Sequence, residues 1–205
     1  MTVKAWFKDR LNDPWLRKAR QEQFRSRAAY KLEEINRKYK LLKPGMKILD
    51  LGAAPGSWSQ MALHCMNGKG LVVAIDLLPV EPIEGAVIIR GDIRADESQK
   101  LIGEAFKGKF DVILSDMAPD TTGIHHADTS NSAALVTLAL ELCGKWLKPG
   151  GSFVAKVFEG SEYKDLHAHA KKLFEFAKSV NPEASLARSR EVYLVGTGYK
   201  NVSTK

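Results

Sequence analysis

The sequence predicts an α/β fold, a doubly wound parallel sheet with helices on both faces. Two observations carry that expectation. Short apolar runs alternate along the chain with longer amphipathic segments, and several runs are near-continuous in Val, Ile and Leu, as strands covered on both faces are. A length of 205 residues, without internal repeat or low-complexity tract, suits a single domain with one sizeable core.

The elements follow in chain order. The segment DPWLRKARQEQFRSRAAYKLEEINRKYKLL begins with Pro14 at a position suited to the first turn of a helix. Ala28, Leu32, Ile35 and Tyr39 recur at spacings of four, three and four, which predicts a helix over residues 26–40, ended by the KPG at 43–45. Its apolar stripe should dock on the body, leaving Arg25, Arg27, Lys31 and Lys38 beside or opposite the seam. Strands are expected at KILDL 47–51, LVVAID 71–76, AVIIR 86–90, FDVILSD 110–116, SFVAKVF 152–158 and EVYLVGT 191–197, with a weaker one at 176–180. Helices fill the gaps at 57–66, 98–106, 131–147 and 162–174. The expected organisation is one domain over 1–205, a basic helical extension at 1–45 followed by a core at 46–200.

Charge is unevenly placed. Residues 1–45 hold 13 basic and 5 acidic side chains, whereas residues 46–205 hold 18 and 19. A basic arm on a neutral body points to a polyanion, most often nucleic acid; a solvated basic helix is the plainer alternative. Cys65 and Cys143 form no CxxC pair, so neither a disulfide framework nor a structural zinc site is indicated, and a reducing cytoplasm fits. MTVKAWFKDRL lacks an apolar core, and no later run approaches the roughly 18 apolar residues of a membrane span. A soluble cytoplasmic protein is expected.

In doubly wound sheets the carboxyl end of the first strand opens a crevice for ligand. Gly52 and Gly56 in LDLGAAPGSWSQ stand there, in a spacing looser than the dinucleotide fingerprint G-x-G-x-x-G. Asp76 ends the second strand 24 residues after Gly52, where a carboxylate can accept from ribose hydroxyls. Asp92, in RGDIR, is placed to reach an adenine edge. A nicotinamide dinucleotide and S-adenosylmethionine would both present adenosine here. The fourth strand favours the second, because SDMAPD sets Asp116 and then Pro119 where a sulfonium end would lie.

Together DLGAAPGSWSQ, DLLP, GDIR, SDMAP, KVFEG and SREVY, in this order, resemble the FtsJ family, ribosomal RNA large-subunit 2′-O-methyltransferases, over roughly residues 14–199. The resemblance implies a Rossmann-like S-adenosylmethionine-dependent methyltransferase sheet of seven strands with an antiparallel last strand. It also implies a uridine ribose of 23S ribosomal RNA, in the large ribosomal subunit, as substrate. A catalytic Lys-Asp-Lys-Glu set is carried over onto Lys31, Asp116, Lys156 and Glu191, and donor-binding positions onto Gly56, Trp58, Asp76, Asp92 and Asp116. Ser57 stands where many members have a second glycine, and DTTGIHH departs from the family after SDMAP, which bears on loop contacts with RNA.

The residue types suit the reaction. A ribose hydroxyl attacking a methyl sulfonium must shed a proton, and Lys156 could take it as general base or, kept charged, orient the oxygen. Lys156 interrupts an apolar strand, where an unpaired charge would be costly. Lys31 could instead pair with Glu34 on its helix, and Glu191 with Arg188 or Arg190. Trp58 has two compatible roles, packing on the sheet and flanking the donor. His125, His126 and Asp128 lie in an expected polar loop without a metal-ligand spacing, so no metal is expected. Arg17, Lys18, Arg20, Arg25, Arg27, Arg188 and Arg190 are the candidates for RNA phosphates. A large RNA partner suits a monomer. Other readings are a transfer RNA or messenger RNA cap ribose methyltransferase, a non-catalytic ribosome assembly factor that binds RNA, and a nicotinamide-dependent oxidoreductase, the last disfavoured by the missing fingerprint.

Overall fold

A computed structural model describes residues 13–185 and 189–201. Seven strands, β1 (Lys47–Leu51), β2 (Leu71–Asp76), β3 (Ala86–Arg90), β4 (Phe110–Ser115), β5 (Leu147–Phe158), β6 (Phe174–Val180) and β7 (Glu191–Tyr199), form one sheet in the order β3-β2-β1-β4-β5-β7-β6. Pairings from β3 to β5 are parallel, while β7 is antiparallel to both β5 and β6. The seven-stranded sheet with an antiparallel last strand is therefore present. β5 begins five residues earlier than the apolar run suggests, because Leu147 already pairs with Phe110 before a register shift at KPGG.

Among the described residues six helices accompany it: α1 (Pro14–Gln21), α2 (Ala28–Tyr39), α3 (Ser57–Cys65), α4 (Asp96–Ala105), α5 (His125–Trp146) and α6 (Tyr163–Leu173). Period-two alternation along the buried strands divides the core in two. Leu49, Leu51, Val73, Ile75, Ile113 and Phe153 pack toward α4, α5 and α6 residues such as Ile102, Leu140 and Leu166. Ile48, Val72, Ala74, Val112, Leu114 and Val154 pack toward Leu32 and Ile35 of α2 and Met61 of α3. At roughly 1.5–3 kcal/mol per fully buried large apolar side chain, burial on both faces makes the sheet the rigid element of the molecule.

The described part of the basic front segment, from residue 13 on, is a helix pair; residues 1–12 of the expected extension lie outside the described residues. Pro14 does occupy the first turn of α1, where the Asp13 carboxylate caps the main-chain N–H groups of Trp15 and Leu16. α2 stops at Tyr39, before the KPG, because Lys40 adopts the left-handed conformation and closes the helix on Asn36 O. Its buried face is Ala29, Tyr30, Lys31, Leu32 and Ile35, rotated from the expected stripe so that Lys31 points inward and Ala28 and Tyr39 are only half-buried.

Candidate functional site

The carboxyl ends of β1, β2 and β4 open onto a cavity of about 370 Å³ lined by Gly52, Asp76, Asp92, Asp116 and Lys156 among others. Gly52 turns the chain out of β1 at φ +71°, and a Cβ there would sit 2.7 Å from the Met117 main chain. Only glycine permits that crossing. Asp76 at the end of β2 accepts from the N–H of Ala54 and of Leu78, each at 2.8 Å, so one carboxylate ties two loops at the cavity floor and keeps lone pairs free. Asp92 is gripped by Arg94 at 2.6 Å, and this hydrogen bonding holds its carboxyl below the usual range.

Apolar walls come from Leu77, Leu78, Ile93, Leu135 and Leu138. Leu77 and Leu78 are 60% and 64% exposed, unusual for leucines outside a binding surface. Sequence reading passed over them although they stand in DLLP directly after Asp76, where two large apolar residues leave a strand with no partner in the pattern. Asp50 was also missed. It is wholly buried on β1, its Oδ2 accepts from Ser59 OH at 2.6 Å and its Oδ1 has no partner. Burial pushes its carboxyl up to about 7, against the Ser59 hydrogen bond. A carboxylate inside the apolar run KILDL was the available signal, of the same kind that marks Lys156.

At the other end of the cavity stand Lys156 and Asp116, with the Lys31–Glu191 pair beyond them. Lys156 on β5 is 8% exposed; its Nζ donates to the Asp116 carbonyl at 2.7 Å and lies 3.0 Å from Asp116 Oδ1. That Oδ1 contact falls outside hydrogen-bond geometry, so Oδ1 remains a buried acceptor with capacity to spare. Lys31 on α2 donates to Glu191 Oε2 at 2.5 Å. Burial raises the Glu191 carboxyl, but the charge and hydrogen bond of Lys31, with the charges of Lys156 and Arg27, outweigh it and leave it below its ordinary value.

Sheet register explains the grouping. Lys156 faces Tyr193 and Phe158 faces Glu191 across the β5–β7 pair, so all four side chains share one face of the sheet, the face α2 covers. The structure thus brings Lys31, Asp116, Lys156 and Glu191 together, and neither Glu34 nor Arg190 takes the pairing open to it in the sequence. Glu34 instead accepts from Glu183 N.

Several expected site residues are placed otherwise. The Trp58 side chain is buried, donates from Nε1 to Ala28 O and packs on Tyr193, whose ring lies 5.6 Å from Lys31 Nζ. It supports the charged group from behind, and packing rather than flanking the cavity is its side chain's role. Gly56 caps α3 at φ +110°, and a Cβ there would meet Arg25 Nη1 at 2.6 Å, so this glycine admits the arm. Arg25 donates to the carbonyls of Pro55, Glu81 and Pro82 and clamps the front segment to the body. Arg27 pairs with Asp13 at 2.6 Å. Both guanidiniums are engaged within the chain.

Lys18 lies 4.3 Å over the Tyr30 ring, with Glu22 and Glu33 at 3.9 Å. Arg17 and Arg20 are exposed and ion-paired to no described residue; Arg188 lies outside the described residues. His125, His126 and Asp128 form the first turn of α5 rather than a loop, because Asp128 folds back to accept from Thr122 N, Thr122 OH and Gly123 N. Among the described residues no cluster of His, Cys, Asp and Glu could hold a metal, and no helix is long and apolar enough to cross a membrane.

The arrangement suits a small cation carrying an apolar, adenosine-like portion: carboxylates line the floor, leucines the walls, and an amine stands at one end. Comparison with known proteins agrees. The FtsJ-like methyltransferase family model matches residues 24–199. Ribosomal RNA large subunit methyltransferase E of Methylobacillus flagellatus is 45% identical over 201 residues, covering 98% of this chain and 97% of that protein. The protein of the same name from Acinetobacter baumannii is 44% identical over 198 residues, 96% of this chain and 92% of its own. A crystal structure of a ribosomal RNA methyltransferase from Plasmodium falciparum superposes with TM-score 0.78 at 33% identity, covering 86% of this chain and 98% of that one. Human methyltransferase-like protein 13, solved with SAH, shares the fold at TM-score 0.54 and 16% identity, covering 78% and 75%.

Proposed function

Because this chain belongs to the FtsJ-like methyltransferase family, we propose that it methylates the 2′-hydroxyl of a uridine ribose in 23S ribosomal RNA of the large ribosomal subunit, with S-adenosylmethionine as donor. The observation that carries the reading is the end of the cavity, where Lys156 and Asp116 line the space and the Lys31–Glu191 pair stands beyond them.

S-adenosylmethionine, when bound, supplies a methyl group on a positively charged sulfur. The cavity fits that cation: three carboxylates line it, Asp76, Asp92 and Asp116, the last ion-paired with Lys156. Asp76 and Asp92 would hold the ribose and adenine, with Leu77 and Leu78 against the ring. Gly52 and Gly56 would contribute by carrying no side chain, their N–H groups being bonded to Ile75 O and Ala53 O, and Trp58 through its main-chain N–H in the first turn of α3.

Methyl transfer leaves a thioether and a ribose methyl ether, and one proton must depart from the attacking oxygen. We assign it to Lys156 Nζ, which must first release one of its own protons to solvent so that the neutral amine can take the hydroxyl proton and return to the ammonium form. The ion pair of Lys31 with Glu191 neutralises the neighbouring carboxylate and keeps it from competing for Lys156. Asp116 aims Nζ through its own carbonyl. In this reading the chain is one methyltransferase domain whose front helices supply Lys31 and exposed arginines for RNA.

The test is transfer of labelled methyl to large ribosomal subunits lacking the modification, with free 23S RNA and bulk transfer RNA alongside. Label on subunit RNA, stable to mild base that cleaves unmodified ribose linkages, is expected, with Lys156→Ala slower by roughly 10²–10⁴-fold. Lys156→Arg keeps the charge without accepting a proton. Equal loss in both variants supports proton acceptance, and substantial activity in the arginine variant would make Lys156 an orienting cation instead. No label on any substrate, despite donor binding, would overturn the reading in favour of a cap enzyme or an assembly factor.

A further inference from the structure

A second cavity, of about 440 Å³, lies beside the charged group and shares no lining residue with the first. The two meet at the β5–β7 register: Lys156 lines the first, and Glu191, opposite Phe158 and two residues from the partner of Lys156, lines the second. A ligand in the second cavity would therefore abut the reacting atoms from the side the donor does not use.

Its chemistry is selective. Both carboxylates on its wall are already engaged, Glu191 by Lys31 and Asp128 by the Thr122–Gly123 turn. What remains for a ligand is the Phe158 ring, the Arg190 guanidinium and the His125 imidazole. Phe158 is half-buried, belongs to neither hydrophobic core and pairs with no other described aromatic ring. Arg190 and His125 are exposed, and Arg190 makes no ion pair with a described residue. An aromatic face beside a guanidinium, neither engaged by a described side chain, is how proteins hold a splayed RNA nucleotide, stacking the base and pairing the phosphate. The cavity volume is also of nucleoside size. Gly123 and His125 bring the otherwise unexplained DTTGIHH segment into this wall.

We propose that this cavity receives the base of the nucleotide being methylated, Phe158 stacking on it and Arg190 contacting the adjoining phosphate. The inference rests on the ribose-methyltransferase reading and adds the residues that choose and seat the acceptor. It makes Phe158 and Arg190 substrate-binding residues, with no part in donor binding.

The experiment compares wild type, Phe158→Ala, Phe158→Tyr and Arg190→Ser in steady-state methylation of large subunits lacking the modification. Calorimetric affinity for S-adenosylmethionine and thermal melting are measured on the same preparations. Expected for Phe158→Ala is a rise in KM of roughly 5- to 100-fold, with donor affinity within twofold of wild type and Phe158→Tyr restoring most of the loss. Arg190→Ser should lower the slope of log affinity against log salt by about one. An unchanged KM in Phe158→Ala overturns the inference, as does parallel loss of donor affinity and melting temperature that tyrosine does not rescue. If wild type labels a base or no RNA, the underlying reading falls and takes the inference with it; an active wild type with indifferent variants sinks the inference alone.

Discussion

The two ends of the site are built by different means. At the donor end, Asp76 is the last residue of β2 and Gly52 and Asp92 follow β1 and β3 by one and two residues, and Asp76 is held by main-chain N–H groups close by in space. At the charged end, Lys31 and Glu191 are 160 residues apart and meet only because α2 lies over the β5–β7 pair. The first end is acidic and shaped by turns; the second is ionic, each charge held by its opposite. A turn-built site depends on the sheet alone, whereas a pair-built one also depends on the front helices staying docked.

The largest stability effect that would sharpen this contrast is expected under the donor end. Burial favours the protonated form of Asp50 in the folded protein, raising its carboxyl from the ordinary 3.8 to about 7. The native state thus binds this proton more tightly than the unfolded chain. The stabilisation is complete below about pH 4 and is lost as pH rises through 7, a span on the order of 4 kcal/mol. Asp50→Asn, which keeps an acceptor for Ser59, should flatten that part of the profile in urea denaturation between pH 4 and 8. Parallel profiles for the two proteins would show that Asp50 is not protonated in the native state.

Next in size is the charged end. Glu191→Gln leaves the Lys31 ammonium buried without a counter-charge and should cost about 3 kcal/mol, read as a lower melting temperature. Replacing both partners, Lys31→Met with Glu191→Leu, should restore most of the stability while methyl transfer stays lost. A double variant that is stable and fully active would break the contrast, because the pair would then be packing only.

The smallest effects on stability separate the basic residues. Arg25→Ala frees three carbonyls at the clamp and should destabilise by about 1–3 kcal/mol, with little change in the salt dependence of RNA binding. Arg17→Ser with Arg20→Ser should stay within about 0.5 kcal/mol of wild type in stability. That variant should instead weaken RNA binding and reduce its salt slope. The reverse pattern in filter binding and melting would exchange the roles assigned to the clamp and to the exposed arginines.

Much of this molecule is legible in its sequence. Near-continuous apolar strands, the carboxylates Asp76, Asp92 and Asp116 at strand ends and the lysine inside SFVAKVF mark the sheet, the crevice and one buried charge, because each signal lies within a few residues of what it specifies. Helix α2 was legible in existence and not in rotation: a spacing of four, three and four fits more than one face of a helix, and only contact with the sheet turned Lys31 inward. The packing of the Trp58 side chain, the helix cap at Gly56, the Arg25 clamp and the Arg27 ion pair were not legible, since a residue type does not say which surface it will meet. The sequence by itself determined the strands, their covered faces and the carboxylates they present, because hydrophobic period and turn chemistry are local. The tertiary structure decided the Lys31–Glu191 pair, the two cavities on either side of it and which arginines stay exposed, because those depend on distant segments packing in one register.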